Sequence, residues 1–177
     1  MDIVSHGLWG GIAFGRKNLR RFSLACCFGV LPDLFSFGLL YVVVLLGLAE
    51  RPRFSPEPPD PSLIPAYVHQ LYNITHSLVV FLAVFALLWV VFRKPIWEAF
   101  GWGLHILLDI FTHSYRFFPT PFLWPISDFK FDGWPWGMPA IFIPNVILLV
   151  LLYGWFFLRR LRTPDGSSIT GERQRRW

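Results

Sequence analysis

A run of about 20 residues without a single charge, Pro139 to Leu158, limits the possible folds more than any other feature of this sequence. A helix of that length crosses a hydrocarbon core about 30 Å thick. Only 15% of the residues are charged, whereas soluble proteins average about 25%. The sequence therefore predicts an all-α, polytopic integral membrane bundle with about four main spans, some of them short or broken. The other three apolar stretches are Phe22 to Ala49, Ser77 to Phe92 and Pro95 to Phe111.

Basic residues lie between the apolar stretches and do not form a continuous face. The net charge of +5 therefore does not predict nucleic acid as a partner. Under the positive-inside rule, the basic loops and the C-terminus are expected in the cytoplasm, and the loop from Ser114 to Met138 is expected outside. We expect a prokaryotic inner or plasma membrane protein without a secretory signal peptide. The basic clusters are Arg16, Lys17, Arg20 and Arg21; Arg93 and Lys94; and Arg159, Arg160 and Arg162.

The chain is predicted to form one domain. Residues 1–161 hold all the apolar stretches and would form a membrane-embedded domain. Residues 162–177 have no apolar period and are predicted to be a disordered cytoplasmic tail. The proline-rich segment over residues 50–65 is predicted to be a loop, because it is too polar for a span and too rich in proline for a helix.

A polar stripe runs along the apolar stretch Pro95 to Phe111, the third in chain order, and continues just past its end. His105, Asp109 and His113 recur there every four residues. On a helix this spacing puts all three on one face, with a drift of about 40° at each step. A carboxylate in such an apolar segment is costly unless it is paired, bound to a metal or facing water. His105 and Asp109 rise by about 6 Å and can share one ion, whereas His113 lies about 12 Å from His105 along the axis. We therefore expect His113 to bind a second ion, to hold a ligand of the first ion in place from outside its coordination sphere, or to contact the substrate.

Asp33 follows directly after Pro32 within the first long apolar stretch. Proline favours a helix end or kink at Leu31, so the sequence predicts a separate helix from Leu34 to Ala49, with Asp33 in the turn. A carboxylate at that place can cap a helix or bind a metal ion. The apolar surroundings favour the metal ligand.

Two more histidines are expected near the stripe. His6 lies on a short N-terminal helix beside glycines 7, 11 and 15, whose four-residue spacing favours close helix packing. His76 follows Asn73 and Thr75, which are typical of a helix start, at the mouth of the second apolar stretch. If the helices alternate in direction, both histidines reach the half of the membrane that holds Asp33 and the polar stripe.

Together these side chains form a set of nitrogen and oxygen ligands that suits zinc, manganese or iron. We predict a divalent transition metal, with zinc as the first choice. A metal with an open position lowers the pKa of its bound water towards about 7, so hydrolysis is the natural chemistry. No nucleophile elbow, paired cysteine motif or phosphate-binding glycine loop offers a competing interpretation. The predicted metal ligands are His6, Asp33, His76, His105 and Asp109.

The loop from Ser114 to Met138 is dense in Phe, Trp and Pro, a composition typical of a membrane interface. Its only acids are Asp128 and Asp132, and Asp132 is interpreted as a solvated carboxylate. Asp128, together with His113, is the predicted catalytic residue that would move protons. Membrane lipid is the predicted partner, and a lipid or lipid-linked phosphoester is the predicted substrate, with the aromatic loop shaping the entrance.

The combination of His6, Leu31-Pro32-Asp33, Thr75-His76-Ser77 and His105-x-x-x-Asp109 resembles the YdjM-like family of membrane-bound, predicted metal-dependent hydrolases. The resemblance covers residues 1 to 140. It implies an all-helical membrane protein with a metal site on these same five ionisable residues. Two differences from the family pattern weaken the case for a second metal. Many relatives have a second acid and a histidine after the Pro-Asp pair, where this chain has Leu34-Phe35-Ser36. Relatives often have His-Arg-Gly shortly before the Thr-His-Ser element, where this chain has Leu71-Tyr72-Asn73.

The same residues also allow two other functions. The same His and Asp residues could form an ion or proton path, although a transporter usually shows internal repeats and this chain shows none. Alternatively, a structural metal could tie short helices together in a non-catalytic protein, with every coordination position filled by the protein. An open metal position facing a cleft would favour the hydrolase.

Overall fold

The computed structural model describes residues 1–48 and 64–162. Most of the predicted proline-rich loop and nearly all of the predicted tail lie outside these ranges. Within them the chain is helical, and its only β-type contact is an isolated bridge between Ser114 and Phe117. The predicted all-α fold is confirmed. The helices are α1 Ile3–Phe14, α2 Leu19–Leu45, α3 Ala66–Thr75, α4 Leu78–Phe92, α5 Phe100–Thr112 and α6 Pro139–Arg162.

Two of these helices, α2 and α6, are long and apolar enough to cross a membrane. The pair α3 and α4 provides a third candidate span, bent by 60° at the break between its two halves. The third apolar stretch along the chain forms a 3-10 turn, Trp97–Ala99, followed directly by the 13-residue α5, and the two together are too short to cross a membrane. The structure therefore supports two or three spans in the described residues, and the prediction of about four is not confirmed.

Helix α2 continues through Pro32, so the predicted helix end at Leu31 is wrong. The chain is α-helical to Asp33, π-helical from Leu34 to Gly38 and α-helical again to Leu45. Proline removes one backbone donor, and a π-helical turn changes the hydrogen-bond register beyond it. The Ser36 hydroxyl also donates to the Pro32 carbonyl at 3.0 Å. Asp33 consequently lies within a continuous helix and not in a turn.

Helices α1, α2 and α5 pack with their backbones in close contact, and glycines make this possible. A Cβ atom on Gly10 would lie 2.6 Å from the Ala25 carbonyl oxygen, and one on Gly101 would lie 2.5 Å from the same atom. A Cβ atom on Gly29 would lie 2.5 Å from the His6 carbonyl oxygen. The predicted glycine stripe of α1 is confirmed as a packing face, since Cβ atoms there would also meet α2.

The aromatic loop after α5 folds back over the ends of α4 and α5. Gly133 N–H donates to the His113 carbonyl at 2.8 Å, and Trp134 N–H donates to the Phe111 carbonyl at 2.9 Å. Leu78 N–H, at the start of α4, donates to the Phe122 carbonyl at 2.9 Å. The predicted start of α4 is confirmed, because the Ser77 side chain caps it by accepting from Val80 N–H. The loop therefore covers the end of the bundle where His76 and the C-terminal end of α5 meet.

Candidate metal centre

Four ionisable side chains from three parts of the chain converge beneath the aromatic loop. Asp33 comes from α2, His76 from the break between α3 and α4, and His105 and Asp109 from one face of α5. One ligand atom from each lies within 4.8 Å of the others. The two α5 residues meet because they are four positions apart on a helix. The predicted convergence of these four residues is therefore present in the fold.

The separations within the group match the edges of a metal coordination shell. The Nε2 atoms of His76 and His105 lie 3.0 Å apart. His105 Nε2 lies 3.3 Å from Asp109 Oδ2 and 3.8 Å from Asp33 Oδ1. His76 Nε2 lies 3.6 Å from Asp109 Oδ2 and 3.5 Å from Asp33 Oδ1. Ligands held about 2.0–2.1 Å from a tetrahedral zinc ion lie about 3.3–3.4 Å from one another, so the group has a suitable size.

Hydrogen bonds at Nδ1 orient both imidazoles, and in a neutral ring they leave the Nε2 lone pair available to a metal. His105 Nδ1 lies 2.7 Å from the Gly29 carbonyl, which can only accept. His76 Nδ1 lies 3.0 Å from Thr75 Oγ1, and that hydroxyl donates its own proton to the Leu71 carbonyl at 2.9 Å. With Nδ1 protonated in each ring, the two Nε2 lone pairs face each other. They would repel unless a metal ion or a proton lay between them, so this orientation fits a metal.

Asp109 is the second indication that the group fits a cation. Its side chain is fully buried, and Oδ2, the oxygen that faces His76 and His105, has no hydrogen-bond partner among the described residues. A buried carboxylate oxygen without a partner is costly unless it binds a metal. Two imidazole nitrogens and two carboxylate oxygens are a donor set suited to zinc, manganese or iron.

His6, a predicted ligand, lies beside the group of four and not within it. Its ring stacks on His105 with centroids 3.6 Å apart. Its Nε2 lies 2.9 Å from Asp109 Oδ1, where it can donate a hydrogen bond, and the Met1 backbone nitrogen also contacts that oxygen. In this geometry His6 orients the carboxylate whose other oxygen faces the centre.

His113, a predicted catalytic residue, ends α5 at the edge of the group. Its Nε2 lies 3.6 Å from Asp109 Oδ1. Its Nδ1 donates to the Phe118 carbonyl at 2.9 Å, and the Tyr72 hydroxyl donates to the same carbonyl at 3.0 Å. As its position along the helix predicts, His113 is not one of the four grouped residues. The other predicted catalytic residue, Asp128, is exposed in the aromatic loop and is not one of them either.

Two supporting residues were missed at the level of sequence. Thr75 holds the Nδ1 of His76, and Tyr72 stacks on the His76 ring with centroids 3.7 Å apart. Tyr72 lies four positions before His76, and Thr75 lies directly before it. This proximity was a signal, but it did not show which contacts the break between α3 and α4 would allow.

Access to the group is uneven. The side chain of Asp33 is 16% exposed, whereas those of His76, His105 and Asp109 are completely buried. Asp33 is therefore the one member of the group of four with an exposed edge.

Comparison with known proteins identifies the family of the chain. The model of the YdjM inner membrane protein family matches residues 1–175, so the chain belongs to that family. The resemblance seen in the short motifs is thereby confirmed over nearly the whole length. No curated protein matches the chain, and no solved structure matches it.

Proposed function

We propose that this member of the YdjM inner membrane protein family is a metal-dependent hydrolase that acts on a phospholipid or a lipid-linked phosphoester. The observation that carries the proposal is the pair of imidazole nitrogens of His76 and His105, whose Nε2 atoms lie 3.0 Å apart while each Nδ1 contacts an oxygen. The carboxylates of Asp33 and Asp109 complete the group. The family and the donor set support a metal site, and the hydrolase activity is our proposal.

A zinc ion held by these four residues would supply Lewis-acid chemistry and lower the pKa of a bound water. Four protein ligands would fill a tetrahedral zinc site, so catalysis needs a fifth position or the release of one ligand. We propose that Asp33, whose side chain is 16% exposed, is the ligand that makes way for water. A carboxylate at the open side can also change its coordination when a substrate arrives. Zinc is our first choice, and manganese and iron fit the same donors.

The remaining residues would position groups and move protons. His6 would hold Asp109 in place through Oδ1, leaving Oδ2 for the ion. We assign proton transfer to His113, whose Nε2 lies near that carboxylate and whose Nδ1 is anchored by the Phe118 carbonyl. Asp128 would assist if the exposed loop brought it towards a bound substrate.

The membrane surroundings support a lipid substrate. The candidate spans α2 and α6 expose most of their apolar side chains, and the loop above the centre exposes rings such as Tyr115, Phe129 and Trp134. Aromatic side chains of this kind favour the headgroup level of a bilayer. We propose that this loop faces the outside, with the basic loops and the C-terminus in the cytoplasm, so that a lipid phosphoester in the outer leaflet reaches the centre.

The test is hydrolysis by purified protein in detergent or nanodiscs. The substrates are phospholipids with different headgroups and an undecaprenyl phosphoester, assayed with and without zinc after chelation. We expect headgroup or phosphate release only with the metal, and its loss in His105→Ala. A protein that binds zinc yet hydrolyses none of these substrates would favour the structural-metal alternative. Zinc-independent ion flux through liposomes containing the protein would favour the ion path.

A further inference from the structure

An apolar groove lies between α1, α5 and the first part of α6. Its volume is about 240 Å³, and its lining includes Trp9, Leu108, Ile141 and Leu148. None of the four residues grouped at the candidate metal centre lines this groove. The side chain of Leu148 is 50% exposed, and only 11% of the most apolar part of α6 is buried. The groove therefore opens towards the space that a bilayer would occupy.

Asn145, a polar residue in the lining of the groove, is buried and bonds to α1 through both ends of its amide. Asn145 Oδ1 accepts a hydrogen bond from Trp9 Nε1 at 2.8 Å, and its Nδ2 donates to Ser5 Oγ at 2.8 Å. These bonds tie α6 to α1 and leave little polar surface in the groove. The lining offers little to a ligand that seeks hydrogen bonds, so the chemistry of the groove fits a hydrocarbon chain.

The length and position of the groove fit one leaflet of a bilayer. The lining residues of α6 extend from Ala140 to Leu148, which corresponds to about 12 Å along a helix axis. The hydrocarbon of one leaflet is about 15 Å thick, half of a 30 Å core. The groove starts next to the aromatic loop, since α6 begins at Pro139, directly after it. A chain in the groove would thus have its headgroup at the loop.

The groove also adjoins the candidate metal centre. Met1 lines the groove, and its backbone nitrogen contacts Asp109. Leu108 precedes Asp109 in the sequence, and Ser5, which bonds to Asn145, precedes His6. From its apolar lining, its length and its place beside the aromatic loop, we infer that the groove holds one acyl chain of a membrane lipid. This inference rests on the proposed function for the fate of that lipid, but not for its binding.

Binding can be tested directly with a photoreactive lipid. The probe is phosphatidylglycerol carrying a diazirine in the middle of one acyl chain, in nanodiscs of phosphatidylethanolamine and phosphatidylglycerol, with labelled residues mapped by mass spectrometry. We expect label to concentrate on Leu108, Ile141 and Leu148. Equal labelling all along α6 would overturn the inference, because it would indicate only the surrounding bilayer.

A matched pair of substitutions makes the test specific. Leu148→Trp would fill the groove, whereas Leu151→Trp lies on the same helix, 63% exposed and outside the lining. Label on Leu108 and Ile141 should fall several-fold in Leu148→Trp and stay at the wild-type level in Leu151→Trp. Equal labelling in the two variants would overturn the inference, as would cross-links showing a second copy of the chain seated in the groove. If Leu148→Trp did not fold, the wild-type map would still decide.

The outcome separates this inference from the proposed function. Groove-specific labelling by a metal-loaded protein without lipid hydrolysis would refute the hydrolase and leave the lipid site standing. Hydrolysis at equal rates in Leu148→Trp and Leu151→Trp, together with uniform labelling, would refute the groove and leave the hydrolase standing. Metal content equal to wild type in both variants would show that the centre itself is intact.

Discussion

His76 Nε2 and His105 Nε2 face each other at 3.0 Å, and each ring has its Nδ1 held by an acceptor oxygen. One imidazole comes from the break in a bent helix pair and the other from the middle of α5. Two neutral rings would not choose this orientation without a cation or a proton between them.

Loss of a ligand should abolish metal binding. We expect about one equivalent of zinc in the wild-type protein, as for a single four-ligand site, and only a trace in His105→Ala and Asp109→Asn. Elemental mass spectrometry of detergent-purified protein measures it. His69→Ala is the control, because His69 stacks on Phe118 outside the group, and it should keep its metal. Equal metal content in all three variants would refute the site.

His6 should behave differently from the four grouped residues. Because its Nε2 contacts Asp109 Oδ1, His6→Ala should weaken zinc affinity by about 10–100-fold, the usual effect of losing a residue that orients a ligand. Competition with a zinc-binding dye would measure the dissociation constant. Complete loss of metal, equal to that in His105→Ala, would instead make His6 a direct ligand.

The hydroxyl of Thr75 should affect metal affinity through His76. Thr75→Val keeps the shape of the side chain but removes the acceptor for His76 Nδ1, so the ring could adopt the wrong tautomer. We expect zinc affinity to fall by about 10–100-fold, and Thr75→Ser to restore it because Ser keeps the hydroxyl. Similar affinity in the Val and Ser variants would show that this hydrogen bond does not orient the ring.

Close packing of α1 against α2 should make Gly29 sensitive to a single methyl group. A Cβ atom there would lie 2.5 Å from the backbone oxygen of His6, which cannot move without shifting α1. Gly29→Ala should lower stability by about 1–3 kcal/mol, as overpacking does, and reduce metal content as well. Thermal unfolding followed by tryptophan fluorescence measures the change. Gly154→Ala, whose Cβ would meet no atom within 4 Å, should leave both properties unchanged.

Metal binding should stabilise the fold. Because the ligands come from α2, α5 and the α3–α4 break, an ion that binds only the folded state joins all three. Free zinc at about 100 times its dissociation constant would add about 2.7 kcal/mol. Unfolding of chelator-treated protein with and without added zinc tests this. His105→Ala should show no zinc-dependent shift, and an equal shift in that variant would point to binding elsewhere.

The helix at Pro32 shows the limit of predicting helix ends from proline alone. Proline predicts a helix end, and the structure instead has a continuous helix with a π-helical turn after it. Neighbouring groups in the fold, such as the Ser36 hydroxyl on the Pro32 carbonyl, accommodate the change of register. The predicted number of about four spans is not confirmed for a related reason. Apolar composition alone does not show where a helix such as α5 begins.

The amino-acid sequence by itself determined the helical membrane fold, the glycine packing face of α1 and the pairing of His105 with Asp109. These depend on composition and on the helical period, which act over a few residues. Only the tertiary structure decided that Asp33 and His76 meet that pair and that His6 contacts Asp109 Oδ1. It also decided that Asn145 of α6 bonds to Ser5 of α1 beside the groove. Such contacts join residues far apart in the chain, and their geometry depends on how whole helices cross and bend.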